Sequence, residues 1–390
     1  MTGTRIAIAY DCLFPVNTGG GERVYRRMAE LLVGRGGEVT YVTRGQWPAD
    51  DPPHASFDIA SVWRGPIYDG LGVRTTSSAV AFAVGLFRYF VRRRGRYDLV
   101  IVAALPVLNV FAVRLALLGT PVVIAVDWLE VWPARKWRDY AGRFTGSIAA
   151  VLQWLAVRVG SIQTVNSEFT RRRLRMARRD ADPVVLGLLD LAGPVRDGAG
   201  RDRRSSDDAP YVLFVGRHIA DKRLSALPPA LGVARRTVPG LRARVVGTGP
   251  ETGAARDAAV EHGVADAVEF LGRVDDDELD ALSAGAAALV NPSAREGFGL
   301  VVVEAAAQGT PSVVVAGEDN AAAELVAPGV NGEIAEDASA DALGRAIVRV
   351  VLSGDRMRRS TADWFAAERE RRNLGASVDE ILERMERLRR

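Results

Sequence analysis

Two glutamates, Glu296 and Glu304, are separated by seven residues in the run Arg295-Glu296-Gly297-Phe298-Gly299-Leu300-Val301-Val302-Val303-Glu304-Ala305. Ionised carboxylates are acceptor-only groups, so paired hydroxyls of a polyol are natural partners for them. The surrounding pattern reads as strand, glycine turn and helix. Leu289 to Ser293 ends a buried strand, Gly297 and Gly299 allow a tight turn, and an apolar helix runs toward Gly309 and Pro311. Such a loop opens onto a helix N-terminus, whose N–H groups and dipole suit a phosphate or a sugar hydroxyl. Glu296 on the loop and Glu304, about two turns into the helix, are placed to grip two parts of one elongated ligand.

A second constellation is Gly216-Arg217 followed by Lys222, placed after another buried strand. The chain uses arginine for nearly every basic position, and Lys136 is the only other lysine. A forked guanidinium beside a point-charge ammonium can hold a diphosphate, whereas a bland reading makes them a solvated pair at a helix start. Gly19-Gly20-Gly21, between a first strand and a first helix, would leave helix N–H groups open to a phosphate. Asp275-Asp276-Asp277-Glu278 has the look of a metal-binding run, but it precedes Leu279-Asp280-Ala281-Leu282 and is better read as a helix cap. The histidines, His54, His218 and His262, have no metal-ligand spacing. Asp127-Trp128-Leu129-Glu130-Val131-Trp132, with Trp137 and Tyr140, offers acids for a sugar hydroxyl and rings for a sugar face. The alternative is an aromatic packing cluster with Asp127 as an N-cap.

These residues need a scaffold, and the patterning supplies one. Strand and helix alternate from Arg5 through Thr43, resume from Leu99 to Asn166, and start afresh at Tyr211 with at least five further strands up to Val315. Between them, Gly193 to Ala209 is rich in Gly, Arg, Asp and Ser, the composition of an exposed linker. The expectation is an α/β protein of two doubly wound Rossmann-like domains facing a central cleft, with ligands beyond the carboxyl ends of the strands.

The 390 residues suffice for two domains, and a net charge of +3 does not imply nucleic acid as a partner. Cys12 is the only cysteine, and no apolar leader is read at the N-terminus, so a reducing, cytoplasmic setting is expected. The apolar run Leu99 to Val126 is broken by Pro106, Asn109, Arg114 and Gly119-Thr120-Pro121, and is read as strand, helix and strand rather than a membrane span. Ser77 to Arg94 is apolar along Val80, Phe82, Val84, Leu86, Phe87, Tyr89, Phe90 and Val91 and closes with Arg92-Arg93-Arg94. It is either a core helix with a basic last turn or a peripheral contact with the inner face of a membrane.

Together, the glutamate spacing, Gly216-Arg217 with Lys222, the Gly19 to Gly21 loop and Gly272-Arg273-Val274 resemble the retaining nucleotide-sugar glycosyltransferases of family four, which have the GT-B fold. The resemblance is most specific in the C-terminal half, at Glu296-Gly297-Phe298-Gly299-Leu300 and Glu304-Ala305. It implies that Glu304 holds ribose hydroxyls and Glu296 faces the donor sugar, while Arg217 and Lys222 neutralise the diphosphate. Backbone near Arg273 and Val274 would meet the base, and Gly19, Gly20 and Gly21 the phosphates. Asp127 stands where many members carry histidine. Asp127, Arg217, Lys222 and Glu296 are accordingly the candidate catalytic residues, and Gly297, Phe298, Gly299 and Leu300 complete the donor site.

The patterning sets the bounds and the resemblance implies the roles: residues 1–185 as an acceptor domain, 186–209 as linker, 210–361 as the nucleotide-sugar domain and 362–390 as a C-terminal helix packing back across the domains. The expected activity is metal- and cofactor-independent transfer of a hexose-type sugar, with retention, to a glycan, glycolipid or small-molecule hydroxyl. A nucleotide-sugar epimerase and a non-catalytic nucleotide-sugar or glycan binder are the alternatives.

Overall fold

The structure, a computed structural model, describes residues 3–17, 19–48, 51, 53–67, 75–193 and 209–390. Most of the expected linker, residues 194–208, lies outside the described residues. The chain divides into two compact units, Met1–Leu191 with Arg372–Arg390, and Ala192–Arg371.

The first unit is built on a seven-stranded sheet. Its strands are β1 (Arg5–Ala9), β2 (Glu38–Arg44), β3 (Asp58–Trp63), β4 (Leu99–Ala103), β5 (Val123–Trp128), β6 (Ile162–Val165) and β7 (Val184–Val185). They are ordered β3-β2-β1-β4-β5-β6-β7, and every pairing is parallel. Its helices are α1 (Gly20–Gly34), α2 (Thr76–Val91), α3 (Leu108–Ala116), α4 (Ala134–Ala141), α5 (Arg143–Ala156) and α6 (Glu168–Ala177). The long apolar run resolves into β4, α3 and β5, as its breaks require. Every residue of β4 and β5 is buried, as expected of parallel strands covered on both faces. Among the described residues no helix is long and apolar enough to cross a membrane.

The second unit repeats the design. Its strands β8 (Tyr211–Val215), β9 (Arg242–Val246), β10 (Val268–Gly272) and β11 (Ala288–Asn291) are followed by β12 (Arg295–Glu296), β13 (Ser312–Val315), β14 (Asp319–Asn320) and β15 (Gly332–Ala335). The main sheet runs β10-β9-β8-β11-β13-β15, while β12 and β14 pair separately. Helices α7 (Leu227–Arg235), α8 (Thr252–Glu261), α9 (Asp276–Gly285), α10 (Leu300–Ala307) and α11 (Ala340–Arg371) complete it. Asp275 caps α9 by accepting the Glu278 N–H at 2.8 Å, the cap reading of the acidic run.

The C-terminal segment divides differently from the sequence boundary at 361. Helix α11, kinked at Gly354 (φ 51°), continues to Arg371 within the second unit. Only the last helix, α12 (Leu374–Arg389), belongs to the first. There Ser377 Oγ accepts the Gly187 N–H at 2.8 Å and Asp379 Oδ2 accepts from Arg35 Nη2 at 2.7 Å. A Cβ on Gly187 would fall 2.3 Å from the Arg372 carbonyl carbon, so only glycine admits this approach.

One buried cation sets the ends of two helices in the second unit. Arg358, 3% exposed, donates from Nη2 to Ala284 O at 2.6 Å and from Nη1 to Ala286 O at 2.7 Å, with longer contacts to Thr310 Oγ1 and Gln308 O. These acceptors lie at the C-termini of α9 and α10, where a cation satisfies carbonyls lacking intrahelical donors and complements the dipoles. Arg358→Met strands those carbonyls, and we expect a loss of about 3 kcal/mol, or roughly 10 °C in the melting of this unit. A change within 2 °C or so by calorimetry would show the guanidinium to be dispensable.

Candidate functional site

In the second unit the strand order reverses between β8 and β11, and the loops leaving these two neighbours meet at the carboxyl edge of the sheet. The β8 loop passes Gly216 and Arg217 into two 3₁₀ turns, Ala220–Lys222 and Leu224–Ala226. They are joined by Arg223 at φ 47°, the only non-glycine residue with positive φ among the described residues. The β11 loop carries Asn291, Pro292, Ser293 and β12.

The two loops are fastened by consecutive ion pairs. Asp221 Oδ2 meets Arg295 Nη2 at 2.8 Å, and Lys222 Nζ donates to Glu296 Oε1. Between them the Ala294 N–H donates to Asp221 O at 2.8 Å. Glu296 Oε1 also accepts from Asn291 Nδ2 at 3.3 Å and Ser293 Oγ at 3.1 Å, so a network of donors orients the carboxylate. Asn320 holds this loop from beneath: its Nδ2 donates to Ser293 O and Val315 O at 3.1 and 2.8 Å, and its Oδ1 accepts the Ala322 N–H at 3.1 Å. With side chains only 22% and 13% exposed, Lys222 and Glu296 interact in a medium poorer in water than a surface pair.

Beyond Glu296 the chain turns through Gly297 and buried Phe298 to Gly299, the N-cap of α10 at φ 97°. A Cβ on Gly299 would sit 2.6 Å from the Ala322 Cβ, so conformation and space both require glycine. Leu300 opens the helix and Glu304 is its fifth residue, in the second turn and half-buried. The helix stops at Ala307, and Gly309 follows at φ 70°. Arg217 is exposed, and its guanidinium has no hydrogen-bond or ion-pair partner among the described residues. Arg273, exposed, and Val274, half-buried, leave β10 behind Gly272.

Close backbone approaches lock these strand ends together. A Cβ on Gly247 would fall 1.9 Å from Gly216 O, and one on Gly249 would fall 2.3 Å from His218 O. The Gly247 N–H donates to Gly272 O at 2.6 Å and the His218 N–H to Thr248 O at 3.0 Å.

Lys222 and Glu296 are thus in direct contact, and Gly297 through Leu300 and Glu304 continue from the same loop into one helix. Arg217 shares the β8 loop, and Arg273 and Val274 lie two strands away. Sequence reading passed over Asp221, Arg295, Asn291, Ser293 and Asn320. Two adjacent opposite charges in each loop, Asp221-Lys222 and Arg295-Glu296, were a usable signal for the first two.

In the first unit, helix α1 starts at Gly20, inside the glycine run expected to precede it, with Gly19 as N-cap. A Cβ on Gly19 would come within 2.3 Å of Glu22 Oε2, so an acidic side chain folds back over the helix start, where open N–H groups were expected. Gly21 faces the Tyr10 hydroxyl, 3.1 Å from its Cβ position. Burial, and after it the nearby charges of Glu22 and Asp11, pushes the Tyr10 phenol well above its ordinary range.

Asp127 is 0% exposed and lies within β5, so it is neither a surface group nor a helix N-cap. It accepts from Tyr25 Oη of α1 and, at 2.5 Å, from Thr164 Oγ1 of β6, tying a helix and a neighbouring strand to β5. The aromatic residues after it form a cluster: the Trp132 ring lies 4.6 Å from Trp137 and 5.3 Å from Tyr140. Gln153 accepts from Trp132 N and Trp137 Nε1 at 3.0 and 3.1 Å.

Burial pushes the Asp127 carboxyl above its ordinary value of 3.8, outweighing the two hydroxyl donors. Raised in the folded state, its contribution to stability is fully present below that value and is lost as pH rises through and beyond it. Asp127→Asn keeps the shape and removes the titration. The expected result is a protein that folds and whose melting temperature falls less than that of wild type from pH 4 upward. Parallel melting curves for the two proteins across that range would mean that Asp127 stays ionised.

A model described as "Glycosyl transferases group 1" matches residues 199–363, and one described as "Glycosyl transferase 4-like domain" matches residues 19–187. A GDP-mannose-dependent alpha-(1-6)-phosphatidylinositol monomannoside mannosyltransferase of Mycobacterium tuberculosis is 32% identical over 192 residues, covering 47% of this chain and 49% of that protein. Glycogen synthase of the same species is 33% identical over 233 residues, covering 51% and 54%. The chain spans about half the length of these curated relatives. Among solved structures, sucrose-phosphate synthase from Thermosynechococcus elongatus superposes with a TM-score of 0.78 at 19% identity, covering 99% of each chain. HepE from Anabaena, in complex with UDP and glucose, gives 0.67 at 18%, covering 97% of this chain and 98% of that one. Two family matches that together span both units, on two parallel doubly wound sheets, identify the chain as a member of glycosyltransferase family four with the GT-B fold.

Proposed function

We propose that this protein transfers a hexose-type sugar from a nucleoside-diphosphate sugar to an acceptor hydroxyl, with retention of anomeric configuration and without a metal ion. The observation that carries the reading is the oriented Lys222–Glu296 pair at the reversal of strand order, beside the start of α10. In this reading Arg217, Lys222 and the first N–H groups of α10 stabilise the leaving diphosphate, where preorganised donors are worth several kcal/mol. Glu304 accepts from the ribose hydroxyls and Glu296 faces the donor sugar. The bond from the anomeric carbon to the diphosphate oxygen breaks while the acceptor oxygen bonds on the same face. The acceptor proton passes to a phosphate oxygen. No protein base is needed for that step, which is compatible with the enclosure of Asp127.

The mannosyl donor named for the mycobacterial relative and the UDP held by HepE define the panel to test: GDP-mannose, UDP-glucose, and free GDP, UDP and ADP. A ligand at about a hundred times its dissociation constant adds roughly 2.7 kcal/mol to stability. We expect one nucleotide family to raise the melting temperature of wild type and to do so less in Lys222→Ala. In turnover assays, Arg217→Ala should lower kcat/KM by about a hundredfold. Product analysis separates transfer from isomerisation of the donor or mere binding. Absence of a shift with every nucleotide, or full activity in both variants, would sink the assignment.

A further inference from the structure

Helix α2 buries Phe82, Leu86, Tyr89 and Phe90 but leaves Val80, Val84, Phe87 and Val91 exposed, each by 39–46%. One face of the helix therefore belongs to the core, as the first reading of this segment expects, and another is left uncovered. The exposed residues recur at i, i+4, i+7 and i+11, an arc of about 60° at 3.6 residues per turn. Helix α5 repeats the spacing. Phe144 (81%), Ile148 (46%), Val151 (57%) and Leu155 (43%) are exposed on one stripe, with Trp154 (52%) at its margin.

The two stripes belong to one layer. Helix α2 packs on α3, and α3 on α5, while Gly85 on the sheet side of α2 approaches the Val62 carbonyl of β3 too closely for any Cβ. Between the stripes, the end of α3 adds Leu115 (60%) and Leu118 (54%). More than half of the exposed large apolar residues among the described residues fall on these three helices and the turn after α3, although the layer is a small part of the chain. Concentration of this kind marks an interaction surface, whereas single exposed apolar residues do not.

Charge narrows the occupant. Helices α2, α3 and α5 contain no aspartate or glutamate, in a chain with 48 acidic residues. Their borders carry exposed Arg88, Arg92, Arg94, Arg114, Arg143 and Arg158. Arg158 lies over the Trp154 ring at 3.8 Å. An apolar centre rimmed by arginine, on three helices without acids and with aromatic residues near its edge, complements an anionic lipid interface. We infer that the α2–α3–α5 face lies on an anionic membrane surface, with the apolar stripes in the headgroup boundary and the arginines on lipid phosphates. This inference does not rest on the transferase reading.

The test is sedimentation of the full chain with vesicles of phosphatidylcholine alone and of phosphatidylcholine mixed with phosphatidylglycerol, at low and high salt. Wild type should bind the mixed vesicles at least about tenfold more tightly than the neutral ones, and less tightly as salt rises. The double variant Phe87→Glu with Phe144→Glu, changed at exposed positions, should lose at least about tenfold in binding while melting like wild type. Arg88→Gln, Arg92→Gln and Arg143→Gln together should abolish the preference for anionic vesicles. Equal binding to both vesicle types, undiminished binding in the double variant, or no binding at all would overturn the assignment. So would a concentration-dependent wild-type dimer that Phe144→Glu dissociates, because the face would then join two copies of the chain.

Discussion

The second unit depends on one electrostatic fastening, the pair of consecutive salt bridges Asp221–Arg295 and Lys222–Glu296. Parallel strands that reverse their winding direction leave adjacent loops diverging, and nothing in the sheet ladder holds those loops together. Here, adjacent opposite charges in one loop meet adjacent opposite charges in the other, and the Ala294 N–H to Asp221 O bond fixes their register. Each charge answers another, so the cluster avoids the penalty of an isolated buried ion. Three donors converge on Glu296 Oε1, which leaves that carboxylate far less freedom than a surface glutamate has.

The backbone beneath the fastening is equally constrained. Gly247 and Gly249 let the β9 loop lie directly on the β8 loop, and Gly299 starts α10 against Ala322. At these places a side chain is excluded by contact with backbone or a packed methyl, so the strand ends form a continuous peptide surface. Arg358 fixes the far ends of α9 and α10 through their carbonyls. Helix α10 is thereby held at its start by a glycine contact and at its end by a buried cation. Its N-terminal dipole consequently has a definite direction relative to the ion pair.

Much of this was legible in the residues. Glycine turns before apolar helices and uninterrupted apolar strands are local signals, and they located the two repeated α/β patterns and the loop from Glu296 to Leu300. What escaped depends on partners distant in sequence. Strand β3 is half-buried at a sheet edge and shows little periodicity, and the two-residue strands β12 and β14 exist only through each other. Asn320 and Arg358 carry no motif; their importance comes from the carbonyls that the fold brings to them. Asp127 illustrates the converse. A carboxylate beside tryptophans reads as a ligand group, yet its position inside a central strand, opposite Tyr25 and Thr164, makes it an internal fastening. The apolar face of α2 escaped resolution because periodicity alone does not say how many of a helix's sides are covered.

The same topology is used twice with opposite electrostatics. At the reversal of strand order in the first unit, between β1 and β4, the chain leaving β1 carries buried Asp11, and Glu22 folds over the start of α1. At the reversal in the second unit, the β8 loop carries Arg217 and Lys222, and α10, the helix that follows the neighbouring strand β11, has glycine as its N-cap and no acid in its first turn. A helix start covered by a carboxylate has its partial positive charge already answered, which disfavours phosphate and favours hydroxyl donors. A helix start preceded by glycine keeps its N–H groups accessible to an anion. Within the second unit Lys222 shares its charge with Glu296, so Arg217 and the backbone of α10 supply much of the positive character beside it. Affinity for a diphosphate would then draw on fixed peptide dipoles as much as on mobile side-chain charge, and it would depend less steeply on ionic strength than binding by exposed arginines alone.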